Sequence, residues 1–205
     1  MTLIKKALAA GALSAVLLSL ASAATPAGRL LVRNSSGTRT WSISWSGVTF
    51  RSNGIVPIST ACPPITLSGS LHSGTITKTA GSLIGYVVNA SGSGTCTESW
   101  RGRVLTEGLP WHVRYQSFTG TLPNISSIGI RIVGFEYRLT EPVGAECLVR
   151  STEAQPLAMT WTRAASGAVS GSALSGTITA NCGLAFEVTS SGAGAPTPST
   201  SITLI

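Results

Sequence analysis

The chain has 205 residues and carries 14 basic against 7 acidic side chains. The excess positive charge is scattered along the sequence rather than gathered in a stripe, which argues against a nucleic-acid partner. No segment reaches the ~20 apolar residues that a membrane-spanning helix needs, so neither a membrane span nor a nucleic-acid surface organises the chain.

Lys5 and Lys6, the apolar run Ala7 to Leu20 and the small residues Ala21-Ser22-Ala23 have the three-part layout of an export signal. The layout predicts a signal helix over residues 1–23 and a mature chain from 24 to 205, long enough for one domain with a sizeable core. After cleavage no membrane span is expected. The mature balance is eleven arginines and one lysine against seven glutamates, with no aspartate. Arginine use of this kind reflects base composition first and polyanion binding second.

Four cysteines in an exported chain imply two disulfides. Three pairings are open, and we take the sequential one, Cys62 with Cys96 and Cys147 with Cys182, as the expectation. Each bridge closes a loop of about 35 residues, worth roughly 3.5 to 4 kcal/mol in the chain-entropy account. A metal site is disfavoured because the spacings hold no CxxC or CxxH pair, and no cofactor is expected.

In chain order, Arg29 to Asn34 reads as a strand ending in the turn Asn34 to Gly37. Trp41, Ile43 and Trp45 then alternate with Thr40, Ser42 and Ser44, and after Gly47 the period continues through Val48 and Phe50. Two tryptophans on one strand face point to core packing more than to a sugar platform. Ile55 to Ile58 is short and interrupted by Pro57, which places it at a sheet edge. Ile65, Leu67 and Leu71, then Thr75 to Thr77, favour strands. Leu83 to Ala90 is a nearly continuous apolar run that reads as a buried strand, closed by the flexible turn Ser91 to Gly94. The segments Leu67 to Gly81 and Val169 to Gly183 align at nine of fifteen positions, which admits a duplicated hairpin.

The stretch Leu109 to Pro123 is the best-marked strand. Trp111, Val113 and Tyr115 alternate with His112, Arg114 and Gln116, giving one apolar and one cationic face. Phe118 falls on the polar parity, which predicts a bulge near Ser117 or an aromatic facing outwards. Ile125 to Leu139 reads as one strand with a bulge at Val133-Gly134, ended by Glu141-Pro142. Cys147 to Arg150, Leu157 to Arg163, Ala173 to Ala180 and the alternating Leu184, Phe186 and Val188 supply further short strands. Residues 190–201 read as a low-complexity, mobile loop, and Ile202 to Ile205 as a last strand.

Short strands between Gly, Pro and Ser turns, with no capped helical period, predict an all-β domain. An antiparallel β-sandwich of the Ig-like or jelly-roll-like kind is expected, with a β-barrel as the alternative. An outer-membrane barrel fits less well, for want of regular ten-residue strand spacing and aromatic girdles.

No strong catalytic motif is present. A Ser/His/Asp triad is impossible without aspartate, and any Glu variant has only His72 and His112 to draw on. Glycoside hydrolysis needs two facing carboxylates, for which Glu136 with Glu141, or Glu98 with Glu107, are the nearest pairs. A binding site asks for less: an aromatic beside an arginine stacks on a sugar ring or holds an anion without a reactive group. The candidate contacts are Trp100, Arg101, Arg103, His112, Arg114 and Phe118. The expectation is a secreted, non-catalytic binding or structural β domain whose partner is an extracellular polysaccharide or another envelope component. The alternative is a secreted hydrolase using Glu and His in a surface cleft.

The phrases CPPITLSGSLHS, LPWHVRYQSFTGTLP and ECLVRST and the terminal ITLI resemble those of a group of secreted, Ser/Thr-rich β proteins of actinobacteria with no assigned activity. The resemblance takes in most of the mature chain and the four cysteines. It implies secretion and a β-rich fold, and it carries over no functional residue.

Overall fold

Two-residue alternation of apolar and polar side chains governs nearly every element. The structure is a computed structural model that describes residues 29–34, 37–52, 57–121, 124–192 and 194–204; the predicted signal helix at 1–23 lies outside the described residues. The first strands are β1 (Leu30–Asn34), β2 (Thr40–Trp45), β3 (Gly47–Ser52), β4 (Ile58–Cys62), β5 (Ile65–Leu71), β6 (Thr75–Ile76), β7 (Leu83–Ser91), β8 (Ser93–Thr95) and β9 (Arg101–Val104). They are followed by β10 (Trp111–Thr121), β11 (Asn124–Val133), β12 (Glu136–Thr140), β13 (Glu146–Arg150), β14 (Leu157–Arg163), β15 (Val169–Thr179), β16 (Ala185–Ser191) and β17 (Thr200–Leu204). The only described helix is one 3-10 turn, Thr97–Ser99, and no described helix is long and apolar enough to cross a membrane.

The all-β expectation holds. Ten strands form one curled antiparallel sheet in the order β2-β5-β7-β10-β11-β14-β15-β16-β3-β4. Its curl is written into the chain, because β2 at one end and β3 near the other are separated by Ser46 alone. Ser46 donates from both its backbone N–H and its hydroxyl to the Ser191 carbonyl at the end of β16. Two smaller sheets, β13-β12-β9-β8 and β17-β1-β6, complete the fold.

Several expectations change in three dimensions. The 190–201 stretch is tied down in its middle: Thr197 and Ser42 exchange both backbone hydrogen bonds at 2.8 Å, and Gly194 packs so closely on the Ser44 carbonyl that a side chain there would clash. The physical reason is the free edge of β2, whose unpaired N–H and C=O groups need a partner. Ser91 to Gly94 is less a flexible turn than a one-residue joint at Gly92 between β7, which ends at Ser91, and β8, which begins at Ser93, and β9 is a strand that its sequence, RGRV, did not announce. The two similar fifteen-residue segments fold differently, one as β5, a turn and β6 in two sheets, the other within the unbroken β15 and the turn after it, so they are not a duplicated hairpin. Phe118 is brought onto the core side by a register shift between Tyr115 and Ser117, the predicted bulge, and pairs with Ile128.

The larger correction concerns Ile125 to Leu139. It is not one bulged strand but two strands in two sheets, β11 in the large sheet and β12 in the small one. Gly134 turns the corner with φ at +99°, a left-handed conformation that favours glycine, while Trp111 packs against it. Buried Ser151 locks the corner. Its hydroxyl donates to the Ile132 carbonyl at 3.0 Å and accepts from the Phe135 N–H at 2.9 Å, and its backbone bonds to both Gly134 and Phe135.

Beyond the corner the small sheet lays its apolar face on the large one. Phe135 packs edge-on against Trp111 and stacks with Tyr137, whose ring lies 4.6 Å from that of Phe50. One continuous hydrophobic cluster joins the sheets. The disulfides Cys62–Cys96 and Cys147–Cys182, paired as expected, tie the small sheet's ends to β4 and to the turn after β15. They imply an oxidising compartment.

Ser151→Ala leaves the Phe135 N–H buried and unpaired, so it is expected to cost about 1 to 3 kcal/mol in chemical denaturation. Burial also pushes the Tyr137 hydroxyl up to about 12. The neutral phenol is the folded form, so its contribution is intact below the unfolded value of about 10 and is lost as pH rises towards 12. Denaturation midpoints measured across alkaline pH should fall in that window, and Tyr137→Phe should flatten the fall; buried Tyr115, raised for the same reason, leaves a residue of it.

Candidate functional site

The outer face of the small sheet follows from strand parity. Gly102 and Val104 of β9, Tyr137 and Leu139 of β12, and Cys147 and Val149 of β13 point into the core. Arg101, Arg103, Glu136, Arg138, Thr140, Glu146 and Arg150 are left outside. Register then decides which of these meet: Arg103 lies opposite Arg138 and Arg101 opposite Thr140, with Ser93 and Thr95 of β8 beyond them.

A groove of about 450 Å³ runs over this face, lined by Arg101, Arg103 and Arg138 with Ser93, Thr95, Thr140 and Glu146. A second hollow of about 390 Å³ shares Arg101 and Thr140 and reaches Ser99 and the Glu141 to Gly144 turn. The arginines are only partly neutralised. Arg103 lies 3.8 Å from Glu107 and Arg138 lies 3.7 Å from Glu146, both in solvent-open pairs that contribute little. Arg150 and Glu136 form the tighter cross-strand pair, at 2.8 Å. Among the described residues, Arg101 has no carboxylate partner. The Glu107 carboxyl is held below its ordinary range chiefly by its own backbone N–H, with Arg103 a smaller influence, so it stays charged.

The six sequence candidates do not converge. Arg101 and Arg103 line the groove. Trp100 does not: its side chain is buried in the core, while its backbone closes a hydrogen bond with Cys96, so it offers no ring to a ligand. Phe118, turned by its bulge, is half-buried against the core with the Lys78 ammonium 5.8 Å above its ring. His112 and Arg114 stand on β10 in the other sheet. His112 is exposed beside Tyr86; Arg114 is held by the Gly81 carbonyl at 2.9 Å and by Glu153 at 2.7 Å. Arg138 was missed by sequence reasoning, because only the pairing of β9 with β12 brings it to Arg103.

The carboxylates do not assemble with the histidines. Glu107, Glu136, Glu146 and Glu153 are each engaged by an arginine, and among the described residues neither His72 nor His112 forms an ion pair. No family model matches the chain, and no curated protein and no solved structure is significantly similar to it.

Chemically, the groove offers guanidinium forks and hydroxyls, which suit carboxylate, sulfate or phosphate groups. Like charges directly opposite on adjacent strands are unfavourable to folding. Arg103→Thr is therefore expected to raise stability by a few tenths of a kcal/mol at low salt, with the gain shrinking as salt is added; denaturation curves at two ionic strengths check it.

Proposed function

We propose that this is a secreted, non-catalytic binding domain that holds an anionic extracellular polysaccharide along the arginine groove of the small sheet. The observation that carries the reading is the convergence of Arg101, Arg103 and Arg138 on one groove with their charge incompletely matched. Export is supported by the signal-like N-terminus, and extracellular residence by the two disulfides. A trough shared between two hollows suits a chain better than a small molecule, and its flanking serine and threonine hydroxyls suit sugar hydroxyls. Arg101 is the strongest anchor because it has no carboxylate among the described residues to give up.

The test is retention of the mature, oxidised domain on insoluble acidic polysaccharides and isolated cell walls, beside neutral polysaccharides, over a salt series. Retention on the acidic matrices is expected to fall steeply with salt and to be largely lost in Arg101→Ala/Arg103→Ala. Equal retention on neutral matrices, or none on any matrix, sinks this reading.

A further inference from the structure

A second pair of arginines sits on the outer face of the large sheet. Arg114 of β10 and Arg131 of β11 are direct partners in the antiparallel register. Both are half-buried, and the Nε atom of each is buried without a hydrogen-bond partner. They differ in compensation. Arg114 is matched by Glu153 and the Gly81 carbonyl, whereas among the described residues Arg131 has neither an ion pair nor a hydrogen bond. Its other cross-strand neighbour is Ala158 of β14, too small and apolar to answer the charge. A half-buried cation with an idle donor, beside a second cation, costs stability unless an anion completes it.

The next rank of the same face supplies a different chemistry. His112 lies opposite Tyr86 in the β7–β10 register, their rings 5.5 Å apart, and His72 packs on the other side of Tyr86 at 4.8 Å. The only two histidines of the chain thus flank one tyrosine, in a row of rings carried by β10, β7 and the residue that follows β5. His112 and Arg114 are two residues apart on one strand, so the ring row and the guanidinium pair adjoin on one face.

We propose that Arg131, with Arg114, binds the carboxylate of an acidic sugar whose ring lies over Tyr86 and His112. The carboxylate accepts from the Arg131 guanidinium, with Arg114 standing beside it while its own terminal nitrogens serve Gly81 and Glu153, and the C–H face of a pyranose covers aromatic rings; the two ranks match the two ends of a uronic acid. The site lies on another sheet from the small-sheet groove and does not depend on it.

The experiment is an NMR titration of the full oxidised protein with glucuronate, glucose and sulfate, followed at the arginine Nε–H signals and the backbone amides of β7 and β10, with Arg131→Gln, His112→Ala and Arg101→Ala in parallel. Glucuronate is expected to move the Arg131 Nε–H signal and the amides near Tyr86. Arg131→Gln should weaken it about tenfold or more, the scale of a lost charged hydrogen bond, and should fold normally because it removes an unpartnered charge. Read at the Arg131 Nε–H signal and the amides near Tyr86, His112→Ala should weaken the glucuronate response and leave the weaker sulfate response as it was, and Arg101→Ala, which alters only the small-sheet groove, should leave this local response in place. At these same signals, sulfate binding as tightly as glucuronate, a glucuronate response undiminished in Arg131→Gln, or no glucuronate response at all overturns the proposal. A glucuronate response lost in Arg101→Ala and kept in Arg131→Gln assigns the sugar to the small-sheet groove instead and also overturns it.

Discussion

The corner at Gly134 and Phe135 is where the architecture divides, because one uninterrupted run of chain there leaves the large sheet and begins the small one. Two conditions make it possible. Gly134 accepts a left-handed backbone under the Trp111 ring, and the Ser151 hydroxyl satisfies the Phe135 N–H and the Ile132 carbonyl that the departing strand would otherwise leave unpaired in the core. Once past the corner, Phe135 and Tyr137 are committed to the inter-sheet layer against Trp111 and Phe50. Parity then turns Glu136, Arg138 and Thr140 outwards. The groove's cationic wall is thus a downstream consequence of one glycine and one serine.

The same logic explains why the protein carries its charges where it does. With few charged residues and a surface built largely from serine and threonine, each pairing of two arginines across a strand boundary is conspicuous. Among the described residues there are two, Arg103 with Arg138 and Arg114 with Arg131. Both work against folding locally. The structure offsets them with glutamates on neighbouring turns and strands, Glu107, Glu146 and Glu153, and among the described residues leaves Arg101 and Arg131 without a carboxylate.

Much of the fold was legible in the sequence because period-two alternation is a local property. The limits of β14, the β10 strand with its Phe118 bulge, and the alternation of Trp41, Ile43 and Trp45 could all be read from neighbouring residues, whereas the sequential disulfides were one of three pairings that the cysteine order leaves open and only the fold selects. The misreadings share a cause. The break at Val133-Gly134 looked like a bulge because parity changes equally at a bulge and at a corner between sheets. RGRV looked like nothing because a four-residue strand of alternating Arg and Gly or Val is stabilised only by β12 and β8 beside it. The Gly/Pro-rich stretch near Thr197 looked free because its hydrogen-bond partner, Ser42, is remote in sequence.

By itself, then, the sequence determined the all-β class, the inward and outward faces of most strands, and a disulfide framework suited to an oxidising compartment, since alternation, turn residues and cysteine order are properties of the chain alone. Only the tertiary structure decided that Trp100 is core, that Arg138 stands beside Arg103, that Arg131 faces Arg114, and that His72 and His112 share Tyr86. Those outcomes depend on register between strands far apart in the chain, and register is set by how the whole apolar surface packs, which no local pattern encodes.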